Sequence, residues 1–473
     1  MTAKNFINYH VLISHSPSCL NRDDMNMQKT AVFGGVNRVR VSSQSLKHSM
    51  RKSSYYANHF GPASIRTREL EKLIPLFVEQ LRDKVDEQGV KFDPDLVAKT
   101  MELFVRAKVV DDESEDAEEQ EDSASDNDEK SKKLAVAPWT LEEIKVLYGI
   151  VKSVSLTEEE ISKAKVNADP MKKAEAAIEK AKQAIEAAKT EAEKGKAKQS
   201  MEAAEKAKEK AAKGKGKKKK SEQEFIDEVL TKKRVDAVKK KIDSVRKAMA
   251  SALDIVLSGR MATSGLMTTV DGALAVAHAI TTHAVEPQDV DWFTAVDDLT
   301  IDAGETGAGH LDTQQFSSGV FYRYASLNLK QLQVNLGLIE NIKAPETDES
   351  RKRALDIARH VFHLLATVVP SAKQQSFAAH NLADFAITSF SDLPISLANA
   401  FEQPVTCDCK KETGLLKPSI SKLSDYWARI HRAYGLDEQV CAFAVEDGIK
   451  LGDKPALDSL DTMESWIANG GKA

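Results

Sequence analysis

The stretch RVRVSSQSLKHSMRKS, Arg38 to Ser53, most constrains what this chain can build. It reads as a short basic strand, a serine-rich turn and a basic helix. Ser42 or Ser43 suits the N-cap, because a hydroxyl there accepts a bond from a free backbone N–H of the first turn. Leu46 and Met50 are four apart and share one helical face, which belongs against a core. Lys47 and Arg51 are also four apart and share another. The spacing therefore brings unpaired backbone N–H groups, hydroxyls and two cations toward one anion. The flanking sequence agrees. No acidic residue lies between Asp24 and Glu69, yet Lys29, Arg38, Arg40, Lys47, Arg51, Lys52, Arg66 and Arg68 all do. A one-signed block in a chain of formal net charge −5 predicts a local polyanion surface. The plain alternative is a solvated basic helix neutralised by acids elsewhere in the fold.

Composition narrows the classes. Aromatics are only 6% of the residues, against a single-strand binder that stacks bases on many exposed rings. Four cysteines, Cys19, Cys407, Cys409 and Cys441, are too few for a disulfide scaffold. Cys407 and Cys409 have one residue between them and no second Cys/His pair nearby, so no zinc site is expected. With neither an apolar signal core nor an apolar run of spanning length, the expected compartment is the cytoplasm.

The segments NFINYHVLISHSPSCLNRDDMNMQKTAVFGG, RVRVSSQSLKHSMRKS, LSGRMATSG, VDGALAVAHAITTH, DWFTAVDDL, FSSGVFYRYA and LANAFE carry a resemblance. Together they resemble the CasC-type backbone subunit of the type I-E CRISPR surveillance complex, Cascade. The likeness fails over about 109–135 and 155–230, which read as insertions. It implies an α+β fold: an RRM-like, ferredoxin-like sheet with a helical lobe and a protruding hairpin thumb. The implied body is discontinuous, over 1–60, 231–286 and 321–473, with a helical finger lobe at 61–230 and a thumb at 287–320. The implied function is to bind CRISPR RNA, polymerise along it with copies of itself and other Cascade subunits, and present it to target DNA. No catalysis and no cofactor are implied.

Under that resemblance the candidate RNA contacts are Lys29, Arg38, Arg40, Ser42, Gln44, Lys47, Arg51, Arg260, Met261 and Lys373. Lys29, Arg40, Ser42, Gln44, Lys47 and Arg51 are expected on phosphates and sugars, which carry no base identity. Met261, apolar in a polar context, is the residue that the family wedges against bases; filling the core is its plain alternative. The lysines Lys410 and Lys411 stand where the sequence departs from the family. A competing reading uses Asp23 and Asp24, because adjacent carboxylates can bind Mg²⁺ or deprotonate a 2′-hydroxyl, as a loop aspartate does in type III backbone relatives. Its plain alternative is a turn with a salt bridge to Arg22.

Elsewhere the periodicity gives elements. Residues 5–14 form a strand, Thr67 to about Val110 a helical lobe with a kink at Pro75, and 111–130 an acidic disordered run. The Lys/Glu/Ala stretch 155–220 reads as exposed helix without an apolar seam, with a basic run at Lys217–Lys220. VDAVKKKIDSVRKAMASALDIVLSG is one amphipathic helix ending at Gly259. GALAVAHAITTHAV is one buried strand, placing His278 and His283 on opposite faces. RALDIARHVFHLLATVV is a helix with its apolar face at Leu355, Ile357, Ala358, Val361, Leu364 and Leu365. Phe33-Gly34-Gly35 permits a close backbone approach.

Overall fold

The computed structural model describes residues 4–67, 69–86, 88–106, 137–168, 170–187, 191–212, 221–261, 269–293, 311–407 and 414–472. The acidic run, Lys217–Lys220, residues 294–310 of the expected thumb, Cys409, Lys410 and Lys411 lie outside them. The chain divides into two compact units, Met1–Ile65, Ala250–Met261 and Thr269–Ala473 in one, Arg66–Met249 and Ala262–Thr268 in the other. No described helix is long and apolar enough to cross a membrane.

The first unit is built on strand β1 (Phe6–Ser18). Its odd residues Ile7, Tyr9, Val11 and Ile13 enter one core cluster, and Leu12 enters another on the opposite face. A strand buried on both sides belongs in the middle of a sheet. β1 pairs antiparallel with Phe385–Ser391 on one side and with the long strand Leu311–Asn328 on the other. The sheet runs Gln439–Ala444, Phe385–Ser391, β1, Leu311–Asn328, Ala279–Thr281, β3 (Val36–Val41), β2 (Thr30–Phe33). Leu274–Val276 and Gln288–Phe293 also pair with the long strand. The second of these forms the arms of the hairpin, with Gln288 opposite Phe316 and Phe293 opposite Leu311.

One face is covered by α1 (Ser43–Lys52), α2 (Ser54–Phe60) and the helix Asp348–Thr367. The apolar face expected of that last helix is buried at each of its positions, Leu355, Ile357, Ala358, Val361, Leu364 and Leu365. The other face is covered by Leu397, Phe401, Val405, Ile420 and Leu423, packed on Leu12, Tyr322, Phe385 and Ile387. Both faces of the central strands are therefore closed by this chain itself.

Two periodic readings are corrected, and a third is drawn more finely. The described part of the helical lobe is two helices, Leu70–Leu81 and Pro94–Arg106, and between them the Asp86 carboxylate accepts the backbone N–H groups of Gln88 and Val90 and turns the chain. The helix expected to end at Gly259 is three, Glu222–Lys240, Ile242–Met249 and Leu253–Ser258; Gly259 does terminate it, at φ +78°. The single strand at GALAVAHAITTHAV is two short ones, Leu274–Val276 and Ala279–Thr281, with His278 exposed in the break.

In the second unit Pro170–Ala187 and Glu191–Ala212 pack on each other. Ala174, Ala181 and Ala204 are buried and Lys208 pairs with Glu175 across the two helices. The absence of an apolar seam is thus corrected: alanine supplies it, and small side chains allow close approach of the helix axes.

Candidate nucleic-acid interface

The expected N-cap is Ser42. Its hydroxyl accepts the Ser45 N–H at 3.2 Å, while its own N–H donates to Asn21 Oδ1 at 2.9 Å. Leu46 and Met50 are the buried residues of α1, as their spacing predicts. The Lys29 N–H donates to the Asn21 carbonyl, and the Arg40 N–H to the Lys29 carbonyl, each at 2.9 Å. Three hydrogen bonds thus bring Asn21, Lys29, Arg40 and Ser42 to one place, at the start of α1. Asn21 was not singled out from sequence, since an asparagine in a polar loop gives no distinguishing signal.

The basic residues of the block fall into two sets. Arg38 is fully buried. Its guanidinium donates to the carbonyls of Phe33 (3.3 Å), Thr281 (3.2 Å), Phe401 (2.8 Å) and Glu402 (3.4 Å), and burial pulls its pKa down. Gly34, at φ +62°, approaches the Glu402 backbone so closely that no Cβ fits. The close approach expected of this glycine pair is therefore to protein. Arg51 Nη1 lies 3.6 Å from Asp254 Oδ2, whose carboxylate is buried and also accepts from Ser64. Arg260 is buried and bridges to Val270 through its backbone. Arg38 and Arg260 are thus buried within the protein, and Arg51, its side chain 12% exposed, leans on the Asp254 carboxylate.

The other set faces outward. Arg40 shares the face of β3 with Arg38, but the segment at Phe401–Glu402 roofs only Arg38. Arg40 Nε donates to the Thr30 carbonyl (3.1 Å) and Nη1 lies 3.2 Å from His278 Nδ1. Lys29, Lys47 and Lys373 are half-buried and Gln44 is exposed. Among the described residues Lys29, Arg40 and Lys373 take part in no ion pair. Lys373 stands at φ +52°, a left-handed conformation costly for a side chain with a Cβ. It lies near the loop that follows β1: burial raises the Cys19 thiol, and the charges of Arg22 and Lys373 pull it back. Met261 is 79% exposed, so it fills no core.

The Asp23 carboxylate accepts the N–H groups of Met25 (3.0 Å) and Met27 (2.9 Å), the geometry of a turn. Among the described residues no group of three or more His, Cys, Asp or Glu side chains is placed to hold a metal ion.

Among curated proteins none matches the sequence. The fold is shared with solved chains, of which two follow. One, a chain of a "CRISPR RNA-guided surveillance complex, pre-nicking", is 24% identical with a TM-score of 0.60, over 99% of this chain and 100% of that one. The other, of a "CRISPR RNA-guided surveillance complex", is 21% identical with a TM-score of 0.51, over 97% and 99%. The family model described as CT1975-like protein matches residues 7–187 and 151–468. Those two segments together run nearly the length of the chain, which therefore belongs to the CT1975-like family of Cas proteins.

Proposed function

We propose that this chain is a guide-RNA-binding backbone subunit of a CRISPR surveillance complex of the Cascade type I-E kind, working in the cytoplasm without catalysis of its own. It grips sugar and phosphate through Lys29, Arg40, Gln44, Lys47 and Lys373 and the first turn of α1, with Met261 placed to wedge against bases. Copies polymerise along the guide beside other subunits, and base pairing between guide and target DNA supplies the specificity. The observation that carries this reading is the sorting of cations: Arg38 and Arg260 are buried and Arg51 leans on Asp254, whereas Lys29, Arg40 and Lys373 have no described acidic partner.

The strand order supports an RRM-like body. With β1, Ala279–Thr281, Leu311–Asn328 and Phe385–Ser391 taken as first to fourth in sequence, their order in the sheet is fourth, first, third, second. Two layers of helix, α1 with α2 and Asp348–Thr367, share one face. The opposite face, open for base stacking in an ordinary RRM, is closed here, which directs RNA to the β2–β3 edge and the start of α1.

The test is co-expression with the complex partners and a CRISPR array. Lys29→Glu with Lys47→Glu should abolish co-purifying RNA at high salt while the chain still assembles with its protein partners. Retention of guide by that variant at high salt would overturn the assignment. Arg51 is unsuitable for such a test, because its loss exposes the buried Asp254 charge.

A further inference from the structure

We infer that His278 is a positioning residue that orients the Arg40 guanidinium toward a backbone phosphate of the bound RNA, an inference that rests on the reading above. Arginine has donors and no acceptor, so the 3.2 Å approach of Arg40 Nη1 to His278 Nδ1 requires a lone pair on that nitrogen. Nδ1 is then the accepting nitrogen of the ring. Arg40 Nε is already held by the Thr30 carbonyl at 3.1 Å. Contacts at Nε and Nη1, on different sides of the planar guanidinium, fix its plane and leave the Nη2 donors for an outside acceptor such as a phosphate.

The setting of His278 fits this role. It sits in the break between Leu274–Val276 and Ala279–Thr281, exposed, where no core packing asks for an imidazole. The facing charged group is Arg40 on β3, and among the described residues neither side chain joins an ion pair. An arginine held at two points beside no acid is prepared for an anion supplied from outside the chain.

The experiment measures binding of a fluorescent single-stranded RNA of guide length to the full-length chain over a range of salt. His278→Leu should weaken binding about fivefold, as expected for loosening one charge-assisted contact. It should also lower the magnitude of the log–log salt slope by about 0.7, one phosphate's worth on a single strand. His278→Gln, whose amide oxygen can accept from Arg40, should restore both. Arg40→Ala with His278→Leu should bind no worse than Arg40→Ala alone, since the histidine acts only through the arginine. Wild-type binding by His278→Leu, failure of His278→Gln to rescue, or additive losses in the double variant would each overturn the inference. Wild-type RNA binding by Lys29→Glu with Lys47→Glu would instead overturn the guide-binding reading itself.

Discussion

At the scale of single residues, Arg38 and Arg40 are two apart on one strand and do opposite things. Alternation puts both on the same face, and nothing within the RVRV motif separates them. What separates them is Phe401–Glu402, more than three hundred residues away in sequence, which closes over one and stops short of the other. Arg51 is likewise decided by a distant residue, Asp254. The presence of a basic surface was therefore legible in the sequence, but which cations remain available to a ligand was not. Arg51→Ala should lower the melting temperature by removing the cation beside the buried Asp254 carboxylate. Lys29→Ala should leave the melting temperature within a degree or so and weaken RNA binding, because its ammonium supports nothing described within the chain. Differential scanning fluorimetry alongside an RNA-binding titration separates the two.

At the scale of elements, α1 was readable almost whole. Its cap and its buried pair follow from local spacing. β1 was readable as a strand, although its double-sided burial depends on partners that the local pattern does not name. The Lys/Glu/Ala stretch was half readable. Its helicity follows from propensity, with side-chain pairs such as Lys163–Glu159 and Lys206–Glu202 four apart. The pairing of its two helices did not, because an alanine seam leaves almost no hydrophobic periodicity. The hairpin joins Glu158–Ala168 to Glu222–Lys240, which pack on each other and share the Lys233–Glu160 ion pair. Replacing residues 169–220 by a short Gly/Ser linker should therefore leave the remaining helices folded and RNA affinity within about twofold, as the removed part contains none of the candidate contacts. Circular dichroism and the same titration check this; a loss of RNA binding would assign the hairpin a direct role.

At the scale of the whole molecule, closure of both sheet faces has a consequence for pH. His10 and His15 sit inside, and burial lowers each from 6.5 to about 3, with the Arg323 charge adding to the effect on His15. His10 Nδ1 lies 2.9 Å from the Tyr322 hydroxyl, and His15 Nε2 lies 3.4 Å from Arg323 Nη2. Unfolded, both rings take protons near pH 6.5; folded, they resist until about pH 3. Their contribution to stability is thus complete above pH 6.5 and declines progressively as pH falls toward 3. Melting temperature should fall through that window, and His10→Phe should flatten the decline by removing one of the two protonations. A melting temperature independent of pH across that range would contradict the buried, neutral assignment.

In the proposed reading the guide lies along the β2–β3 edge and the start of α1. A density map of the chain assembled with its partners on a CRISPR RNA tests this most directly. The account predicts backbone phosphates within hydrogen-bond reach of Lys29, Arg40 and the first turn of α1, with Arg38 and Arg51 still enclosed by protein. RNA running instead over the surface built by Leu397–Val405 and Leu416–Tyr434, with Lys29 and Arg40 turned against protein acids, would contradict it.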